Sequence, residues 1–219
     1  MNDIISELID SDVLHFGDFV LKSGRRAPFF FNLGNLSSGA SMRRLGNAYA
    51  DCLMTFEPLP EVIFGPAYKG ISLAVAAATA LAERGIDIHY AHDRKEAKTH
   101  GEGGTLVGAS MAGRRVVIVD DVISDGTAKI ESARLIESVG GKVQGVVVAL
   151  DRQELADDHR TAVQLLHQRL SIPVLSVTNV DAVLEHLQSD PNHHDAARRI
   201  TEHMKRHRPS PASLPHDST

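Results

Sequence analysis

The segment VVIVDDVISDGTA, residues 116–128, is the most informative part of this sequence. Residues 116–119 are apolar and β-branched, which predicts a buried strand of a parallel sheet. Two adjacent carboxylates, Asp120 and Asp121, follow this strand, and the small polar residues 124–127 then open a helix. Backbone N–H groups and the helix dipole favour an anion such as phosphate at a helix N-terminus. The neighbouring carboxylates suit hydroxyl groups or a hydrated Mg²⁺. The segment therefore predicts a binding site at the end of a strand.

A plainer interpretation is that the two Asp residues end the strand and that the polar residues only turn the chain. For an isolated Asp-Asp pair this interpretation would be preferred. The full order of strand, carboxylate pair, two apolar residues and Ser-Asp-Gly-Thr turn favours a binding site instead. One ligand offers a matching group for each part: a ribose that carries a 5-phosphate, free 2- and 3-hydroxyls and a metal-bound diphosphate.

Length and composition restrict the other classes of protein. A chain of 219 residues with 42% hydrophobic residues predicts one domain with a complete core. The net charge of −5 argues against a nucleic-acid surface. The single cysteine, Cys52, excludes an internal disulfide and fits a reducing cytoplasm, and its place on an apolar helix stripe predicts core packing rather than catalysis. The acidic N-terminus does not resemble a signal peptide, and the apolar stretch Ile71–Ala82 is too short to span a bilayer.

Apolar periodicity predicts an alternation of strands and helices. The predicted strands are 13–21, 28–32, 62–64, 86–91, 116–120, 143–150 and 173–177. The predicted helices lie near the N-terminus and at 41–56, 70–84, 127–139, 179–188 and 194–206. This alternation predicts a parallel sheet whose ligands bind at the carboxyl ends of the strands. The chain is expected to form one domain, 1–206, followed by a Pro- and Ser-rich disordered tail, 207–219.

The long connection after the strand 86–91 is the second candidate functional segment. It reads DRKEAKTHGEGGTLVG and contains four potential cations, which are Arg94, Lys95, Lys98 and His100. A solvated surface loop is the usual fate of such a charged run. The length of the connection, its glycines and its cations favour instead a flap that closes over a diphosphate.

Three further segments place functional groups near predicted strand ends. The turn in FGPAYKG, residues 64–70, can present N–H groups and Lys69 to an anion, although alone it is a weak signal. The segment LKSGRRAPFFFN, residues 21–32, joins basic residues to three Phe. Such Phe usually pack in a core, but beside a phosphate site they can stack on a planar ring. In LDRQE, residues 150–154, Arg152 can form a bidentate pair with a carboxylate.

In order and spacing, FGDFVLKSGRRAPFFFN, FGPAYKGI, DRKEAKTHGEGG, VDDVISDGTA and LDRQE resemble the orotate phosphoribosyltransferases, a type I phosphoribosyltransferase family. The resemblance implies an α/β fold: a central, mostly parallel sheet flanked by helices, a flexible flap, and a small hood formed mainly by 1–40 and part of 151–178. It also implies transfer of the 5-phosphoribosyl group from phosphoribosyl diphosphate (PRPP) to orotate in pyrimidine biosynthesis. The implied cofactor is Mg²⁺, held mainly through PRPP near the two aspartates. The implied assembly is a cytoplasmic homodimer with shared active sites, and no nucleic-acid or membrane partner is implied.

The resemblance also assigns individual residues. The residues implied to bind PRPP are Lys22, Tyr68, Lys69, Arg94, Lys95, Lys98, His100, Asp120, Asp121, Val122, Ile123, Ser124, Asp125, Gly126, Thr127 and Ala128. Those implied to act in catalysis are Arg94, Lys98, His100, Asp120 and Asp121. Those implied to contact orotate are Phe30, Phe31, Ser124 and Arg152, with Lys22 at the same end. Arg94, Lys98 and His100 would reach the neighbouring subunit, while Lys95 would serve its own. A cis peptide is expected at Ala67-Tyr68.

Two alternatives compete with this reading. A purine-type phosphoribosyltransferase would share the PRPP segment but is expected to lack the hood and Arg152. A PRPP-sensing regulator would need an effector surface such as a helix-turn-helix, for which the sequence offers no pattern. The histidines of the C-terminal part have irregular spacing, so a solvated surface is favoured over a metal site.

Overall fold

The computed structural model describes residues 2–21, 24–98, 104–123, 126–157 and 159–209. The helices are α1 (Asn2–Asp10), α2 (Gly39–Leu53), α3 (Lys69–Ala82), α4 (Thr127–Ser138), α5 (Ala162–Leu170), α6 (Val180–Ser189) and α7 (His194–His207). The strands are β1 (Leu14–Val20), β2 (Arg26–Phe31), β3 (Val62–Gly65), β4 (His89–Lys98), β5 (Gly104–Gly108), β6 (Arg115–Val122), β7 (Lys142–Asp151) and β8 (Val174–Asn179). Two single-turn 3₁₀ helices lie at Leu33–Asn35 and Pro191–His193.

The centre of the molecule is a six-stranded sheet with the strand order β5-β4-β3-β6-β7-β8. All neighbouring strands are parallel except β5, which is antiparallel to β4. Alternate residues of the central strand β6 serve different cores, as the pleat of a strand requires. Val117 and Val119 pack into the core that includes α2 and α3, and Val116 and Ile118 pack into the core of α4 and α5. Helices thus cover both faces, and the predicted α/β fold with a mostly parallel sheet is confirmed.

A separate two-stranded sheet, β1 and β2, forms the N-terminal hood. Its strands are antiparallel, with Leu14 opposite Phe31 and Phe16 opposite Phe29. The inward side chains of β2, Phe29 and Phe31, join the larger core together with α1 and α7. The C-terminal helix therefore packs directly on the N-terminal hood.

The structure corrects several boundaries. The predicted loop after residue 91 is partly strand, because β4 continues to Lys98 and pairs with β5, which the sequence analysis did not predict. Charged residues dominate this part of β4, so periodicity alone concealed it. Helix α5 was also missed, although Thr161 and Gln164 form the capping box that marks its start. The first residue of the predicted tail, His207, is the last residue of α7, and residues 210–219 lie outside the described part of the chain.

Within the described residues, no helix combines the length and apolar character needed to cross a membrane.

Candidate active site

The two adjacent carboxylates lie near the end of β6, where backbone N–H groups of the same strand orient them. The Asp121 N–H donates to Asp120 Oδ1 at 2.9 Å, and the Val122 N–H donates to Asp121 Oδ1 at 2.8 Å. From α2, the Tyr49 hydroxyl donates to the Asp120 carbonyl at 2.7 Å. Tyr49 is fully buried, and burial raises its pKa well above the usual value, so it acts as a neutral donor. This hydrogen bond therefore fixes the end of β6 against α2.

Each carboxylate is paired with a lysine. Lys69 Nζ lies 2.8 Å from Asp121 Oδ2, in a pair that is open to solvent on the lysine side. Lys129 Nζ lies 2.5 Å from Asp120 Oδ2 and 2.6 Å from the Val122 carbonyl, inside the protein. Burial raises the pKa of the Asp120 carboxyl, and the charge of Lys129 opposes that shift. Lys129 was not among the predicted site residues, although a cation in the first turn of a helix opposes the helix dipole and needs a local partner.

The connection from β6 to α4 has the geometry expected of an anion site. Gly126 precedes the first residue of α4 and has a φ of +79°, in the left-handed region that favours glycine. Ile123 and Gly126 are buried, whereas Thr127 and Ala128 are exposed at the start of the helix. Residues 124–125 lie outside the described residues. The helix N-terminus next to the carboxylates can therefore receive an anion.

A second tight turn joins β3 to α3. The Ala67-Tyr68 peptide is cis, as expected. The Ala67 N–H donates to Asp93 Oδ1 at 2.5 Å, which ties the turn to β4. A Cβ on Gly65 would lie 2.0 Å from the Gly70 carbonyl oxygen, so the turn closes on itself only with glycine there. Tyr68 is 73% exposed and stands at the rim of this turn.

The flap cations lie on and beyond β4. Arg94 is half-buried and Lys95 is exposed, and the backbone of Lys98 pairs with Gly104 of β5. The Lys98 side chain and residues 99–103, which include His100, lie outside the described part. The structure thus places the stem of this segment beside β3, the strand that leads into the Ala67-Tyr68 turn.

The hood and the end of β7 meet at Arg152. Its guanidinium carbon lies 4.0 Å from the centre of the Phe29 ring, and its Nη2 donates to Glu154 Oε1 at 2.6 Å. Within the described residues, Arg152 Nε is buried without a hydrogen-bond partner. Phe31 is buried, while Phe30 is 38% exposed and packs on Phe19 with ring centres 5.6 Å apart. The Phe run thus supplies two core rings and one open ring, and Lys22 lies outside the described residues.

Glu154, which the sequence analysis did not single out, connects three parts of the chain. Its carboxylate lies 2.6 Å from Arg152 Nη2, 3.2 Å from Arg25 Nη1 of the hood and 3.2 Å from His203 Nε2 of α7. Arg25 also donates to the Leu155 carbonyl at 3.0 Å. Burial alone would raise the pKa of Glu154, but His203 and Arg152 lower it to about 2. This carboxylate is therefore ionised at neutral pH and holds the Arg152 guanidinium.

Cys52, for which core packing was predicted, takes no part in this cluster. Its Sγ lies 3.8 Å from the Ser176 carbonyl, and burial raises the pKa of the thiol to about 11. A thiol with this pKa is a poor nucleophile at neutral pH. The carboxyl ends of β3, β6 and β7 lie side by side, so the cluster is built from those strand ends.

Comparisons with known proteins agree on one family. A model of the phosphoribosyl transferase domain matches residues 36–174. An orotate phosphoribosyltransferase of Nitrosococcus oceani is 49% identical over 191 residues, which is 87% of each chain. One of Xanthomonas euvesicatoria is 52% identical over 178 residues, 80% of this chain and 81% of the relative. The crystal structure of the Francisella tularensis orotate phosphoribosyltransferase is similar with a TM-score of 0.83, at 36% identity, and covers 94% of this chain and 99% of that one.

Proposed function

The chain belongs to the orotate phosphoribosyltransferases, and we propose that it converts orotate and PRPP into orotidine 5′-monophosphate and diphosphate. Such an enzyme is a pentosyltransferase of pyrimidine biosynthesis. The single observation that carries the assignment of the site is the carboxylate pair at the end of β6, next to the N-terminus of α4 and paired with Lys69. This arrangement brings together a hydroxyl-binding group, an anion-binding group and a half-exposed cation.

In this proposal the parts of the ribose ligand bind to separate groups. Asp120 and Asp121 accept hydrogen bonds from the ribose hydroxyls, since ionised carboxylates are strong acceptors. Residues 124–128 surround the 5′-phosphate, which lies at the start of α4. Tyr68 and Lys69 bind the diphosphate. Because Lys69 is half-exposed, it can turn from Asp121 towards the diphosphate.

The residues present also fit Mg²⁺ bound through the substrate. Among the described residues, no group of three or more His, Cys, Asp or Glu side chains is arranged to hold a metal. A hard cation that keeps its waters and binds substrate phosphates needs only a carboxylate or two nearby. Asp120 and Asp121 would therefore hold Mg²⁺ indirectly, through the bound substrate, and the ion would help to neutralise the charge of the leaving group.

The chemistry needs no covalent nucleophile. The bond between ribose C1 and the diphosphate oxygen breaks with its electrons going to the diphosphate, and orotate N1 then bonds to C1 from the opposite face. The N1 proton leaves as this bond forms and passes to the departing diphosphate or to solvent. Lys69, Lys98 and Arg94 stabilise the developing negative charge on the diphosphate. A closed flap excludes water, which would otherwise react with the cationic ribose.

Phe30 and Arg152 contact orotate in this proposal. Support comes from the geometry of Arg152, which is fixed by Phe29 and Glu154 and keeps a buried Nε without a partner in the described residues. A preorganised guanidinium suits the carboxylate of orotate, because the two groups can form two parallel hydrogen bonds. Phe31 and Ser124 are kept as further contacts from the family resemblance.

We also propose a cytoplasmic homodimer in which the flap of one subunit completes the site of the other. Arg94, Lys98 and His100 would act in the partner's site and Lys95 in its own. The family resemblance supports this arrangement, and the single half-buried cysteine suits a reducing compartment.

A spectrophotometric assay of orotate consumption with PRPP and Mg²⁺ tests the proposal. Uracil and hypoxanthine serve as control bases. We expect orotate alone to be consumed, with stoichiometric release of diphosphate. Consumption of hypoxanthine would indicate a purine-type enzyme, and PRPP binding by calorimetry without turnover of any base would indicate a regulator.

A further inference from the structure

The two carboxylates at the end of β6 differ in the lysine that holds each of them. The side chain of Lys69 is 48% exposed, whereas that of Lys129 is 6% exposed. Lys69 can therefore leave Asp121 when a ligand arrives. Lys129 has no comparable route to solvent, because its ammonium group is enclosed between the Asp120 carboxylate and the Val122 carbonyl.

Burying the Lys129 ammonium group costs free energy, and other contacts must offset that cost. A buried ammonium loses its hydration, and its position in the first turn of α4 also opposes the helix dipole. The short contacts to Asp120 and to the Val122 carbonyl supply that compensation. They also join the end of β6 to the first turn of α4, so the two ends of the 123–126 connection are linked through one side chain.

From this geometry we propose that Lys129 is a positioning residue for the ribose. It fixes the Asp120 carboxylate through Oδ2, while the Asp121 N–H holds Oδ1. Both oxygens then keep a constant direction, and their remaining lone pairs accept from a ribose hydroxyl. Lys129 itself does not touch the ligand. The inference rests on the proposed function, because it needs Asp120 to contact the ribose.

A positioning role and a purely structural role of Lys129 would affect the binding of different parts of the ligand. If Lys129 acts through Asp120, its loss weakens contacts to the ribose hydroxyls and leaves the phosphate contact at α4 intact. If Lys129 only keeps the 123–126 connection folded, its loss weakens phosphate binding as well. Ribose 5-phosphate and inorganic phosphate separate the two cases, and neither requires turnover.

The experiment is a double-mutant cycle on the binding of these two ligands, measured by isothermal titration calorimetry. The variants are Lys129→Met, Asp120→Asn and their combination, with exposed Lys142→Met as the matched control. Loss of one charge-assisted contact predicts that Lys129→Met binds ribose 5-phosphate about 10- to 100-fold more weakly. Inorganic phosphate should bind equally well, and in the Asp120→Asn background Lys129→Met should have no further effect.

Three results would overturn the inference. They are unchanged affinity of Lys129→Met for ribose 5-phosphate, an equal loss for inorganic phosphate, and an undiminished loss in the Asp120→Asn background. If Lys129→Met does not fold, as judged by circular dichroism, Lys129→Gln keeps a donor and takes its place, with Lys129→Arg expected to restore part of the affinity. Wild-type protein that binds ribose 5-phosphate no better than phosphate would instead refute the proposed ribose site, and the inference with it.

Discussion

Replacing Glu154 by Gln should destabilise the protein in a way that depends on pH. The substitution keeps the shape and one acceptor oxygen but removes the charge that Arg152, Arg25 and His203 surround. The folded state holds the pKa of Glu154 at about 2, compared with an ordinary value of 4.5. A pKa that is lowered on folding stabilises the protein above the unfolded pKa, and this contribution is lost as pH falls through the folded pKa.

The size of the effect follows from these two pKa values. The difference corresponds to roughly 3 kcal/mol at pH 7, because each pKa unit is about 1.4 kcal/mol. At pH 3 the unfolded chain is mostly protonated at this position and the folded chain is not. The contribution there falls to roughly 1 kcal/mol. Glu154→Gln should therefore cost about 2 kcal/mol more at pH 7 than at pH 3.

Urea unfolding at both pH values measures this difference. The chain has no Trp, so helical circular dichroism is the suitable signal. Protein concentration must be equal for both proteins, since dimerisation would contribute to the apparent stability. Glu137→Gln is a matched control, because Glu137 is an exposed carboxylate on α4, away from this cluster. A cost for Glu154→Gln that is the same at pH 7 and pH 3 would refute the assigned charge state.

Three further predictions concern the site. In steady-state kinetics, Arg152→Ala should raise the KM for orotate by an amount equivalent to about 2–4 kcal/mol, and much more than the KM for PRPP. An unchanged KM for orotate would show that Arg152 does not bind the base. Asp121→Asn should lower kcat while the melting temperature stays near that of wild type, because this carboxylate lies at a strand end; full activity or unfolding would contradict its role. Lys98→Ala and Asp121→Ala should each be inactive, yet refolding them together should recover about a quarter of wild-type activity, since half the dimers are mixed and each has one intact site. No recovery in verified mixed dimers would place Lys98 in its own subunit's site.

The part of the site that follows from local sequence was predictable. The β-branched run 116–119 predicted the central strand, and the residues after it predicted the carboxylates and the helix start. Both signals arise within one strand, turn and helix, so no distant contact is needed to interpret them. The Ala67-Tyr68 cis peptide was expected from the family resemblance and not from local physics.

The residues that support the site were not predictable, because their roles depend on contacts between different elements of the fold. Glu154 obtains its role from Arg25, 129 residues earlier, and from His203 in the last helix. Lys129 appeared as one more charged helix residue until Asp120 was placed beside it. The charged strand β4 was also concealed, since its regular structure depends on pairing with β3 and β5 and not on an apolar pattern.

The contact between Glu154 and its three partners also constrains how this chain can vary between species. A neutral residue at 154 would leave Arg152 and Arg25 facing each other without an intervening anion, inside a largely closed space. Loss of either arginine would leave the carboxylate partly uncompensated. Inherited changes at Arg25, Arg152, Glu154 and His203 should therefore occur together or not at all. The four positions lie on the N-terminal hairpin, after the end of β7 and on α7, so we expect these three parts of the chain to covary.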